Sequence, residues 1–288
     1  MIQKVLFLSF CILFSLAASL FLLNIIDKKQ EKPVQSAHVQ NVKAVQVHDS
    51  SYHQSPDKPS KESYTQYNPD GQWKLVWHDD FTNLDSEKWN AVETGENFNQ
   101  ELQYYTPKNI QVKDGYLYLL AKKETYASHP YTSAKITTQN KFELKYGKIT
   151  VRAQHPQGKG LFPAIWLLPV KDQVLPEIDM FEAIGSDPRK VYYVNHWNEN
   201  GELKRTFTSF DIRNVSTFHT YTIEWSPDQI IWSIDNQVRF ISKEGIPQEP
   251  MYLILNLAIG GKWPGAPDSS TQFPSPFIID DLKIYKKM

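Results

Sequence analysis

Residues 71–288 of this chain are predicted to form an all-β sandwich or jelly roll of antiparallel sheets. Three observations predict it. First, apolar and polar residues alternate over short runs rich in aromatic and β-branched side chains: Tyr116 to Ala121, Tyr146 to Arg152, and Phe218 to Trp225. Second, the runs are separated by turn signals such as Lys113-Asp114-Gly115, Ser226-Pro227-Asp228 and Asp235-Asn236. Third, no amphipathic segment of helical length follows residue 70. The chain has 288 residues, but all-β sandwiches often use about 200–250 residues as one domain, so length alone asks for no further division. There is no internal repeat.

The segments ahead of this domain differ in kind. Val5 to Ile26 carries no charge, follows Lys4 and precedes Asp27-Lys28-Lys29. As a helix this run would rise about 33 Å, enough to cross a hydrocarbon core. Residues 1–30 are therefore read as an N-terminal membrane anchor or a signal peptide. Ala17-Ala18-Ser19 offers a weak cleavage zone, although apolar residues resume beyond it. A buried helix of a soluble fold is the third reading. Residues 31–70 turn polar, as in Ser55-Pro56-Asp57-Lys58-Pro59, with too few apolar residues to offset the entropy of ordering; a disordered linker is expected. Either of the first two N-terminal readings puts the domain outside the cytoplasm. The one cysteine, Cys11, sits in the apolar run, so the domain has no disulfide; a core of this size needs none.

Composition narrows the partners. The net charge is −1 and no basic run is long, which disfavours nucleic acid. All eight tryptophans follow residue 70. Core packing is the expected role of most, and flat platforms for sugar rings that of a minority. Nothing in the pattern asks for a second copy, so a monomer is expected.

The chemistry concentrates in Pro176-Glu177-Ile178-Asp179-Met180-Phe181-Glu182-Ala183. On a regular strand Glu177 and Asp179 share one face, while Glu182 falls on the other. A one-residue bulge around Met180-Phe181 would return Glu182 to the acidic face and turn both apolar residues inward. Three carboxylates would then line one surface. Like charges so close raise the pKa of at least one, which keeps a proton available near neutral pH. Retaining glycoside hydrolysis requires such a pair, about 5–5.5 Å apart, one to attack and one to protonate the leaving oxygen. A solvated acidic strand face is the plainer alternative. Nearby, Phe162, Ala164 and Trp166 share a face. Tyr192 to Trp197 puts His196 on a neighbouring strand, as a satisfied core residue or as a donor in the cleft.

Five segments together resemble family 16 of the glycoside hydrolases, close to the laminarinase-type endo-β-1,3-glucanases. They are Trp77 to Phe81, Asn99 to Tyr105, Gly160 to Trp166, Glu177 to Glu182, and Leu255 to Gly265. The resemblance implies a concave β-jelly roll with the polysaccharide lying across one sheet. It implies Glu177 as nucleophile, Glu182 as acid/base and Asp179 as the carboxylate that orients Glu177. It places Trp166 against sugar in the negative subsites and makes Phe162, His196, Asn99, Asn256 and Trp263 candidate substrate contacts. Phe162 departs from the tryptophan that laminarinases often carry there. No cofactor is expected in the chemistry. The resemblance also allows a structural calcium, with Asp80, the Gly115 carbonyl and Asp280 as ligands; ordinary turn and strand-edge acids are the equal alternative. The expected partner is β-1,3-glucan, with mixed β-1,3-1,4-glucan as an extension. Hydrolysis of another polysaccharide, transglycosylation, and non-catalytic glucan binding stay open.

Overall fold

The computed structural model describes residues 73–288 except Asp172; the anchor or signal over 1–30 and the linker over 31–70 lie outside the described residues. Among the described residues seventeen strands make two large antiparallel sheets and one small parallel pair. In chain order the strands of the first sheet are β1 (Trp73–Asp79), β4 (Ile110–Lys113), β5 (Tyr116–Ala121), β8 (Gly147–Gln154), β13 (His219–Trp225), β14 (Ile230–Ile234), β15 (Gln237–Ser242) and β17 (Ser275–Lys287). Their spatial order is β15-β14-β13-β8-β17-β5-β4, and β1 continues the β5 side of β17.

The second sheet contains β2 (Asn90–Ala91), β7 (Lys135–Thr137), β9 (Leu161–Pro169), β10 (Glu177–Ala183), β11 (Lys190–Glu199), β12 (Glu202–Asp211) and β16 (Met251–Ile259). Its order is β12-β11-β10-β9-β16-β7-β2. The parallel pair is β3 (Gln103–Tyr105) with β6 (Tyr131–Ser133). Among the described residues the helix is a single 3₁₀ turn, Pro107–Asn109, capped by the Thr106 side chain.

The alternation in the sequence accounts for the layering. Along β8, Ile149, Val151 and Ala153 are buried while Lys148, Thr150 and Arg152 reach outward. Facing side chains from the second sheet, including Ile165, Leu167, Ile178, Phe181 and Leu255, complete one core between the sheets. Each such side chain contributes about 1.5–3 kcal/mol by leaving water. Three hairpins close with two-residue turns whose residues both have positive φ, as type I′ geometry needs: Asp114-Gly115, Asn200-Gly201 and Asp235-Asn236. The tryptophans divide less evenly toward the core than expected. Trp89, Trp225 and Trp232 are buried, and the other five are half-buried.

Candidate active site

Strand β10 is irregular where the sequence asks for it. Against β11, Asp179 pairs with Val194 and Glu182 with Tyr192, so Met180 and Phe181 together oppose Tyr193 alone. Against β9, Asp179 pairs with Trp166 and Phe181 with Ile165, which leaves Met180 as the extra residue. Met180 and Phe181 are both fully buried. Phe181 packs on Tyr221 (ring centroids 4.5 Å apart) and stacks on Phe277 (5.7 Å), both from the opposite sheet. A bulge disrupts the ladder locally. The Asp179 carbonyl accepts a 3.0 Å hydrogen bond from Trp232 Nε1, which reaches across from β14.

Directly paired residues share a face, so the register draws rows across the outer surface of the second sheet. One row runs Glu177, His196, Arg205; the next Trp166, Asp179, Val194, Phe207. A third runs Lys135, Asn256, Ala164, Glu182, Tyr192, Ser209. The three acids therefore share one surface, with Trp166 and His196 beside them.

The electrostatics follow from crowding. The Asp179 side chain is 3% exposed and that of Glu177 26%. Burial first, then the charge of Asp179, raises the pKa of Glu177; a hydrogen bond between the two carboxyls adds to it, against the opposing pull of His196. Burial raises Asp179 as well, partly offset by that same bond. Glu182 is pushed well above the carboxylate range by burial and by the charges of Asp179 and Glu177, with Arg205 opposing. Water still reaches Glu177, which tempers its shift. The protons belong to the group. His196 Nε2 lies 3.4 Å from Asp179 Oδ2 and 3.8 Å from Glu177 Oε1, and burial lowers its pKa, so the imidazole is neutral at neutral pH. These three residues offer ligand atoms within 4.8 Å of one another and are the one group among the described residues arranged to take a metal ion.

The other expected contacts form two groups. Trp166 Nε1 donates to Asn256 Oδ1 (2.7 Å), and Asn256 Nδ2 donates to the Tyr105 hydroxyl (3.1 Å). Trp263 meets Phe162 edge-on at 5.3 Å and Tyr192 at 4.7 Å. The Asn99 carbonyl accepts from the Lys262 amide (3.0 Å), so two of the sequence motifs meet there. Gly261 sits at that meeting with φ +112°, a left-handed conformation that favours glycine. Asp280 is on β17 of the other sheet, Asp80 follows its strand β1, and Gly115 is in the turn between β4 and β5. Leu117 pairs with Ile279 and Asp79 with Leu282, which brings the three to one locality on β17. Asp280 Oδ2 forms an ion pair with the Arg152 guanidinium, which a cation at this place would have to share or displace.

Several residues of the site were not singled out from the sequence. Glu101 accepts from Gln103 Nε2 (2.8 Å), and burial raises its pKa to about 7 against the pull of Gln103 and Lys135. Lys135 Nζ lies over the rings of Tyr105 (5.7 Å) and Trp166 (5.9 Å). Glu101, Gln103 and Tyr105 stand in the same motif as Asn99, which was the available signal. Lys135, Arg205 and Trp232 had none, because only the register brings them in.

Known proteins share this architecture and sequence. The profile of the Glycosyl hydrolases family 16 matches residues 95–273, and that of the Beta-glucan synthesis-associated protein SKN1/KRE6/Sbg1 matches residues 1–170. A Beta-glucanase from Rhodothermus marinus is 34% identical over 244 residues, covering 74% of this chain and 85% of the relative. Endo-1,3-1,4-beta-glycanase EglC from Rhizobium meliloti (strain 1021) is 33% identical over 221 residues; they cover 70% of this chain, which spans about half (47%) of that relative. The laminarinase catalytic domain from Thermotoga maritima MSB8 superposes with a TM-score of 0.70 at 35% identity, covering 75% of this chain and 99% of that domain. A profile match across more than half the chain, joined to a third of residues shared with most of a beta-glucanase, fixes its membership: the chain belongs to glycosyl hydrolases family 16.

Proposed function

We propose that the chain is a retaining endo-hydrolase of β-1,3-glucan, with mixed β-1,3-1,4-glucan as a further substrate. The observation that carries the reading is the bulge that turns Glu177, Asp179 and Glu182 to one surface, where burial raises all three pKa values and the charge of Asp179 adds to the rise of both glutamates. A merely solvated acidic face would not be so buried. The relatives named above as beta-glucanase, endo-1,3-1,4-beta-glycanase and laminarinase support the substrate class.

In this reading Glu182 keeps a proton at neutral pH and gives it to the departing glycosidic oxygen. Glu177 attacks the anomeric carbon in its ionised form as that bond breaks, the proton of the group then lying on Glu182. Asp179, hydrogen-bonded to Glu177, orients it. Esterification removes the Glu177 charge, one of the two that raise the pKa of Glu182. Glu182 then becomes the better base, takes a proton from water, and the hydroxide displaces Glu177 with net retention. Trp166, anchored through Asn256, presents its ring on the non-reducing side of the cut.

Azide separates the roles. Glu182→Ala should cleave an activated aryl β-glycoside, be restored by azide and give the β-glycosyl azide. Glu177→Ala should give the α-azide instead, and exchanged anomers would reverse the two assignments. Full activity on laminarin in both variants would end the enzymatic reading of this strand. The uncharged run Val5 to Ile26 supports an extracytoplasmic domain tethered at a membrane, or secreted after cleavage. Fractionation with N-terminal sequencing distinguishes the two, and a cytosolic full-length product would oppose both.

A further inference from the structure

The far side of the acidic strand carries a feature that catalysis does not use. Phe207 of β12 is 43% exposed, one of few large apolar side chains so open. It stands in the same row as Trp166, Asp179 and Val194, two strands beyond the acids. With strands about 4.8 Å apart, its backbone lies roughly 10 Å from that of Asp179. The Arg205 guanidinium lies over the Phe207 ring at 5.1 Å. Arg205 Nη2 is buried and makes no hydrogen bond. A buried N–H without an acceptor is costly, and a sugar hydroxyl would satisfy it. Between Asp179 and Phe207 the row contains only Val194, 8% exposed, so it makes a low floor. Arg205 and Phe207 also open onto a groove of about 630 Å³ that runs to Phe240, Ile241, Lys243 and Glu244.

We propose that Phe207 and Arg205 form a stacking subsite for the aglycone, binding the leaving-group end of the glucan and, after cleavage, a sugar acceptor. This rests on the glucanase reading, which puts Trp166 on the opposite, glycone side. A chain following the row then meets an aromatic platform on each side of the acids. Trp166 is fixed by Asn256 and Lys135, whereas Phe207 is paired with a guanidinium that has an N–H without an acceptor. The aglycone side would govern how long a departing sugar stays, and so how often it is transferred back rather than lost to water.

The full-length protein is compared with Phe207→Ala, Phe207→Trp and Arg205→Met on laminarin and on a nitrophenyl β-glycoside, whose leaving group ends at the acids. Phe207→Ala should lose about tenfold in kcat/KM on laminarin and no more than about twofold on the aryl glycoside, and Arg205→Met, which also removes a charge acting on Glu182, should lose at least as much on laminarin. With an added laminari-oligosaccharide acceptor, the ratio of transfer to hydrolysis products should fall in the same two variants. Phe207→Trp should keep at least half of the laminarin rate. Equal losses of Phe207→Ala on both substrates, or an unchanged transfer ratio, would overturn the subsite while the wild-type protein still cleaves laminarin. A wild-type protein inactive on laminarin would overturn the glucan reading itself.

Discussion

The two sheets treat their buried acids in opposite ways. On the first sheet Asp79, 4% exposed, accepts from the Phe81 amide (2.9 Å) and Trp89 Nε1 (2.8 Å), with Lys88 Nζ 3.9 Å away. Asp281 is held by His78 (3.3 Å) and Lys283 (2.5 Å), and these donors keep its pKa low in spite of burial. On the second sheet Asp179 is no more exposed, yet its closest charged neighbours are Glu177 and Glu182, and the His196 beside it is neutral. The same architecture can thus satisfy an acid or leave it frustrated. Acids of the first kind hold strands together, and those of the second keep reactive protons at a cost in stability.

That contrast predicts opposite signs for two substitutions. Asp79→Ala orphans two buried donors and should cost about 3 kcal/mol, a fall in Tm of roughly 6–12 °C. Glu182→Gln relieves repulsion and should hold or raise Tm, by about 1 kcal/mol, while reducing turnover of glucan on the order of 10³-fold. The linkage has the same sense. Glu177, pushed up to about 8 from 4.5, binds its proton more tightly when folded. Its contribution is complete below the unfolded pKa and is lost as pH rises through about 8, so Glu177→Gln should flatten the decline in Tm between about pH 4.5 and 8. Calorimetry of the three variants against pH tests the comparison. It fails if Glu182→Gln destabilises as much as Asp79→Ala.

A smaller effect separates the bulge from the acids it carries. Trp232→Phe keeps most of the core volume but leaves the Asp179 carbonyl without its donor. A loss of about 1–3 kcal/mol is expected, together with a lower kcat at nearly constant KM, because the acids lose registration and the platforms do not. Denaturant unfolding and steady-state kinetics check both, and a change in KM alone would detach Trp232 from the bulge.

Much of this was legible in sequence because it is local. Alternation gives β8, and Asp114-Gly115 and Asp235-Asn236 mark hairpins whose φ values agree. The bulge was legible too, since Met180-Phe181 cannot both be buried with Glu182 outside unless one residue is extra. Pairing between distant strands was not. Lys135 meets Asn256 across 121 positions of chain, and Trp232 reaches Asp179 across 53. Neither has a local pattern, and both depend on the register of strands far apart in sequence. His196 was ambiguous for a related reason: alternation fixes its face only once the pairing with Glu177 and Arg205 is known.

The finest test concerns Asp179, whose charge raises the pKa of both glutamates. Asp179→Asn keeps the shape and removes that charge. Ionising Glu177 then costs less, so the acid limb of kcat/KM, which reports the nucleophile in the free enzyme, should move to lower pH. Glu182 releases its proton more readily as well, so the alkaline limb should move the same way. The whole bell shifts toward acid, by about one pH unit if the interaction resembles that of other close carboxylates. The maximum itself should fall, because the hydrogen bond that orients Glu177 is weakened. Retention should survive, as neither reacting group is altered. Were Asp179 instead the acid that protonates the leaving group, the alkaline limb would vanish, and aryl glycosides with good leaving groups would be spared. A bell that keeps its position while losing height would leave Asp179 an orienting group with no part in setting the charge of its neighbours.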